Sequence, residues 1–162
     1  MALTLRNPSH LWDGGEILEA YQTIEEGAKR SVWNRENRLW GQEHYWSAYF
    51  EMRRQQLESV QQMLVSLARV YERFPQSGPI ADLLERLAED VKSEEYQGFA
   101  EEQLMELSKM FKTMELPQTR DEFEVRAALR MLLHELDRFL HIAKRLKKKK
   151  EASELGTAHK AR

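Results

Sequence analysis

Aromatic and cationic side chains follow one another closely between positions 45 and 53, in a pattern that could bind an aromatic acid. Aromatic rings beside a guanidinium suit an aromatic carboxylate, which they bind by stacking and by a bidentate pair of hydrogen bonds. The alternative is that the rings fill a core and that Arg53 pairs with Glu122 or Glu124, as buried arginines usually pair with a carboxylate. The residues of this candidate ligand site are Tyr45, Trp46, Tyr49, Phe50, Arg53 and Arg126.

Histidine offers a second possible chemistry, which is metal binding. His134 and His141 lie seven residues apart, with Asp137 between them on nearly the same helical face. A zinc-protease helix needs His-Glu-x-x-His, but the sequence from His134 reads HELDR, with Arg138 in place of the second histidine. Di-iron bundles need Glu-x-x-His on two helices, and this tetrapeptide does not occur. We therefore expect no metal and no other cofactor.

The sequence carries no motif of an enzyme. It has no cysteine, no glycine-rich phosphate loop and no nucleophile elbow. Its 27 acidic residues are spread in the way that is typical of solvated helix faces and of ion pairs at i,i+4 spacing. We expect a protein without catalytic activity.

Charge is distributed unevenly along the chain, and the C-terminal segment is basic. From Lys144 to Arg162 eight Lys/Arg accompany two Glu, so this segment carries +6 and the rest carries −8 of the net −2. A basic run at a helix C-terminus complements the helix dipole, and it could also bind an anionic lipid surface. Nucleic acid is not an expected partner, because the body is acidic and shows no recognition module. The candidate membrane-surface residues are Lys144, Arg145, Lys147, Lys148, Lys149 and Lys150.

Apolar residues recur at spacings of three and four, which predicts an all-α protein. Two helices of about 30 residues are expected, one ending before Pro75 and one beginning after a capping box at Thr119 and Glu122. Two shorter helices between them would together match that length. We therefore predict an elongated up-down-up-down four-helix bundle with one arm broken near Gly98, five helices in total. The alternative at that break is a helical hairpin.

The predicted domain organisation is simple. Residues 1–12 form an N-terminal lead-in, a possible junction to an absent membrane region. Residues 13–147 form the bundle, and residues 148–162 form a basic, disordered tail. No run of about 18 apolar residues suggests a membrane-spanning helix. In the four-armed arrangement, both chain ends would lie on the same side of the bundle.

Two strings resemble a known family: YWSAYFEMRRQQLESVQQML at 45–64 and ELPQTRDEFEVRAALRMLLHEL at 115–136. They are similar to the C-terminal domain of bacterial putative aromatic acid exporters, in which a membrane region precedes a soluble helical domain. The resemblance covers roughly residues 7–146. It implies a non-catalytic domain at the cytoplasmic face of the membrane, which assembles or regulates the membrane part of the same protein or of a partner.

Two other functions stay open. One is an aromatic-acid sensor that uses Arg53 and the aromatic cluster at 45–50. The other is a free-standing cytosolic adaptor unrelated to membranes. A homo-oligomer is compatible with each function, because heptads serve contacts within one chain and between chains equally well.

Overall fold

The computed structural model of the chain describes residues 1–9, 14–33, 43–90 and 98–160, with the side chains at 32–33, 43–44, 143 and 145–160 excluded. The described residues form α-helices and no strand, which confirms the all-α class. The structure has six helices in this part of the chain, one more than predicted. They are α1 (Ala2–Arg6), α2 (Gly15–Trp33), α3 (Glu43–Leu67), α4 (Ser77–Asp90), α5 (Phe99–Thr113) and α6 (Arg120–Lys160).

The helices are grouped into two compact units. Unit 1 comprises Met1–Asp13 and Gln61–Asp137, and unit 2 comprises Gly14–Val60 and Arg138–Arg162. Unit 1 therefore contains α1, α4 and α5 together with the end of α3 and the beginning of α6. Unit 2 contains α2, the beginning of α3 and the end of α6.

In unit 1, α4 and α5 form an antiparallel hairpin, so the prediction of a single broken arm is wrong. Nε2 of Gln76, next to the first residue of α4, lies 3.6 Å from Sδ of Met114, next to the last residue of α5. Helices of 14 and 15 residues placed end to end would separate these atoms by roughly 40 Å at 1.5 Å per residue. Gly98 caps α5 with φ of 82°, a left-handed conformation that suits glycine.

The N-terminal residues belong to the core of unit 1, whereas they were expected to be a lead-in. Leu5 of α1 is fully buried, and Arg6 forms ion pairs with Asp82 and Glu85 of α4. The hydrogen bond to Glu85, and to a smaller extent the one to Asp82, raises the pKa of the Arg6 guanidinium. A five-residue helix is not stable alone. Its packing on α4 therefore holds α1 in place.

The N-terminal half of α6 supplies much of the core of unit 1. Its start confirms Thr119 as the cap, because the amide of Glu122 donates to Oγ1 of Thr119, while the Glu122 carboxylate accepts from the amide of Gln118, one residue before the cap. The Tyr71 hydroxyl, just after α3, donates to Asp121 in the first turn of α6. Since α3 approaches this end and α6 leaves it, the two helices run antiparallel. The fully buried residues of α6 are Val125, Leu129, Leu132, Leu133 and Leu136.

In unit 2, α2 and α3 form a second antiparallel pair. Gly27 lies against Phe50, and Glu25 forms an ion pair of 2.7 Å with Arg54. Residue numbers rise along α2 from one contact to the next while they fall along α3, so the two helices run in opposite directions. The hydrogen bond to Glu25 raises the pKa of the Arg54 guanidinium. Further along α3, Glu58 lies 4.0 Å from Arg138 of α6.

The two long helices differ from their predicted extents. α3 ends at Leu67, so Tyr71 and Phe74 follow the helix instead of completing its apolar stripe. Trp46 at the start of α3 and Tyr71 after its end are half exposed, whereas Leu57 and Leu67 within the helix are buried. The backbone of α6 continues to Lys160, through residues expected to be disordered. Alanine, leucine, lysine and glutamate in this segment are good helix formers.

Candidate functional site

The candidate site is a continuous aromatic ladder on the first turns of α3. Residues four apart on a helix face the same way, so the sequence spacing brings these side chains together. Tyr45 stacks on Tyr49 with 6.3 Å between ring centroids, and Trp46 lies 6.3 Å from Phe50. Edge contacts of 5.4 to 5.8 Å join the two rows. The outer rings, Tyr45 and Trp46, are 38% and 46% exposed.

Arg53 ends this ladder and has neutral partners. Its Nε donates to the Tyr49 hydroxyl at 3.0 Å, and Nη1 donates to Oε1 of buried Gln56 at 3.1 Å. Its Cζ lies 5.1 Å from the centroid of the Tyr49 ring, within cation–π distance. Among the described residues no carboxylate pairs with Arg53, and its Nη2 has no hydrogen-bond partner. The guanidinium therefore has one donor group without a partner in the described part of the chain.

The carboxylates predicted for Arg53 have other partners. Glu122 pairs with Arg126, and Glu124 pairs with Arg120. The specific pairing in the structural alternative is therefore wrong. Filling of a core is also incomplete for the aromatic residues, because none of the four is classed among the buried side chains.

Arg126 belongs to unit 1, whereas the residues of the ladder belong to unit 2. Its side chain is 17% exposed, and it donates to the Glu115 carbonyl as well as pairing with Glu122. These bonds tie the α5–α6 connection to the first turns of α6. The ladder and Arg53 therefore constitute the candidate ligand site in unit 2, while Arg126 has a local structural role.

Gly27 and Gln56 position the site, although the sequence analysis gave neither of them a role. A Cβ on Gly27 would lie 2.6 Å from Cζ of Phe50, so only glycine lets α2 approach this ring so closely. Gln56, 5% exposed, fixes one side of Arg53. For Gly27, a glycine inside an amphipathic helix was the available signal in the sequence. No local sequence pattern indicated the role of Gln56.

The basic residues of the candidate membrane surface all belong to α6. Lys144 has an exposed side chain and lies in the part of α6 that is fully described. Arg145 and residues 147–150 are helical, and their side chains lie outside the described ones. Their role in binding lipid stays a prediction.

His134 and Asp137 line one open cavity of about 350 Å³ in unit 1, with Arg130 and Ser108 beside them. No group of three or more potential metal ligands occurs among the described residues. The cavity offers a guanidinium and a hydroxyl where a metal site would need further ligands.

None of the helices in the described ranges combines the length and the apolar character needed to cross a bilayer. A solved bacterial protein has a similar fold. The crystal structure of a putative membrane protein from Clostridium difficile 630 superposes with a TM-score of 0.80, covering 91% of this chain and 88% of that one. The two sequences are 20% identical. This similarity concerns the fold alone.

Sequence comparison is more specific. The chain is 32% identical over 145 residues to the uncharacterized protein YqjA of Bacillus subtilis (strain 168). The matched region covers 90% of this chain. The match spans 45% of the length of YqjA. Residues 1–144 match the family described as the putative aromatic acid exporter C-terminal domain. The chain belongs to this family.

Proposed function

We propose that the chain is a non-catalytic helical domain at the cytoplasmic face of the membrane, which assembles or regulates the membrane part of an aromatic acid exporter. The observation that carries this proposal is the family match over residues 1–144. The relative YqjA supports it, because this domain accounts for less than half of that protein. A domain of this kind acts through contacts with the remainder of a longer protein or with a partner.

Removal of this domain from the complete exporter is the direct test. We expect the membrane part to remain in the membrane fraction while efflux of 4-hydroxybenzoate falls several-fold, because assembly or regulation is lost. Intracellular accumulation of radiolabelled 4-hydroxybenzoate measures the effect, with membrane content determined by immunoblotting as the control. Equal efflux with and without the domain, at equal membrane content, would contradict the proposal.

A second candidate function is sensing of an aromatic acid, and the state of Arg53 favours it. A cation that has neutral partners on one side and an aromatic ladder beside it can accept a carboxylate without first breaking an ion pair. The ring of the ligand would stack on the exposed members, Tyr45 and Trp46. Sensing and regulation are compatible, since a bound acid could bias the state of the domain.

Thermal unfolding with hydroxybenzoates tests the sensor. A ligand at about 100-fold its Kd stabilises a protein by about 2.7 kcal/mol, or about 5–10 °C for a domain of this size. We expect this shift in the native chain and its loss in Arg53→Leu, each measured against its own unliganded Tm. The control is Arg130→Leu, which removes an exposed guanidinium from unit 1. No shift at millimolar acid, or an equal shift in Arg53→Leu, would rule sensing out.

A further inference from the structure

The two units carry charge of opposite sign. Unit 1 contains 17 acidic and 10 basic residues, a net charge of −7, whereas unit 2 contains 15 basic and 10 acidic residues, a net charge of +5. The basic excess of unit 2 comes mainly from its part of α6. An anionic surface therefore attracts unit 2 rather than unit 1.

The lysine run and the aromatic ladder lie at the same level of unit 2. Glu58 of α3 contacts Arg138 of α6, and the two helices run antiparallel. Positions 147–150 are nine to twelve residues beyond Arg138, or about 14–18 Å along α6. Nine to twelve residues before Glu58 are positions 46–49, which include Trp46 and Tyr49. The register thus brings a basic segment and an aromatic segment to one end of the unit.

The outer aromatic residues at this level suit a membrane interface. Trp46 and Tyr45 keep 46% and 38% of their surface exposed, while Tyr49 and Phe50 lie further inside. Tryptophan and tyrosine favour the headgroup region, because each has an apolar body and a polar group at its tip. Lysines near anionic lipid add about 1 kcal/mol each, a contribution that salt weakens.

We propose that this end of unit 2 is a lipid-binding surface, on which Trp46 and Tyr45 enter the headgroup region beside residues 147–150, which contact anionic phospholipid. The inference rests on the proposed location at the membrane and adds the residues and the lipid class. A bilayer is favoured over nucleic acid because exposed tryptophan and tyrosine beside a basic segment suit the headgroup region of an anionic membrane.

Co-sedimentation of the full chain with vesicles tests the surface. The vesicles contain phosphatidylcholine with or without 30% phosphatidylglycerol, at about 0.05 and 0.3 M salt, where the Debye length falls by more than half. We expect binding to the anionic vesicles only, and weaker binding at the higher salt. Lys147→Gln, Lys148→Gln, Lys149→Gln and Lys150→Gln together should weaken binding at least about tenfold. The charge-matched control carries Lys109→Gln, Lys112→Gln, Arg120→Gln and Arg130→Gln, all at exposed positions of unit 1.

The aromatic part is tested separately by tryptophan fluorescence. A blue shift on adding anionic vesicles, lost in Trp46→Ser and kept in the unit 1 control Phe123→Ser, is the expected result. Equal binding by the two charge variants, or a blue shift that survives Trp46→Ser, would overturn the inference. Binding of an RNA homopolymer in place of vesicles would also overturn it. If lipid binding fails while removal of the domain still reduces efflux, the surface is wrong and the proposed function stands. If efflux is unaffected while vesicles bind, the proposed function fails.

Discussion

Leu132→Ala is expected to produce one of the largest losses of stability available in this chain. Leu132 is fully buried in the part of α6 that forms the core of unit 1. Truncation removes apolar contacts and leaves a cavity, which typically costs about 2–5 kcal/mol. For a domain of this size the Tm should fall by about 5–15 °C. Urea unfolding followed by circular dichroism measures the free energy directly.

Met131 provides a matched control one residue away. Its side chain is 55% exposed, so Met131→Ala should change stability by no more than about 0.5 kcal/mol. The contrast between adjacent positions reports which face of α6 points to the core. Similar losses for both variants would mean that α6 is rotated from the orientation described above.

Gly27→Leu is expected to separate α2 from α3 and to disturb the aromatic ladder. The Cβ alone would overlap the Phe50 ring, and the remaining leucine atoms need space that the pair does not have. Overpacking of this kind typically costs about 1–3 kcal/mol. Because Phe50 contacts Trp46 and Tyr49, we also expect a changed near-ultraviolet dichroism spectrum. Thermal unfolding and that spectrum are the two measurements.

A double-mutant cycle separates this close contact from a general effect of replacing glycine. Phe50→Ala should restore part of the lost stability when combined with Gly27→Leu, because it removes the overlapping ring. Gly78→Leu is the control, since no described atom lies within 4 Å of a Cβ at that position in α4. It should be neutral or stabilising, as leucine is the better helix former. Additive effects of Gly27→Leu and Phe50→Ala would exclude steric overlap as the cause.

Local signals in the sequence predicted much of the helical structure. The capping box at Thr119 and Glu122 marked the start of α6 correctly, because the hydrogen bonds of a capping box lie within four residues. The α4–α5 hairpin was only the alternative to the predicted single arm, since apolar spacing is identical in a continued arm and in a returning one. The deciding contact joins residues 76 and 114. The short helix α1 depends in the same way on a distant partner, α4.

In the candidate site, too, local features were predictable from the sequence and contacts with distant residues were not. Spacing of four residues was enough to predict that the rings of α3 form one group with Arg53. The partners of each arginine were not predictable, because they depend on which carboxylates the fold brings near. The idea that both chain ends lie on one side came from the single broken arm. The hairpin removes that support, and the proposed lipid-binding surface rests on the register of α3 and α6 instead.

The division of α3 and α6 between the two units limits how this domain can evolve. Each unit is assembled from two separate stretches of chain, which are joined to the other unit at 13–14, 60–61 and 137–138, and the last two of these junctions lie inside helices. No single continuous stretch of chain therefore encodes one complete unit without also encoding part of the other. Recombination at the last two junctions would interrupt two helices at once. We infer that the two units can be transferred between proteins only together, as one inherited block.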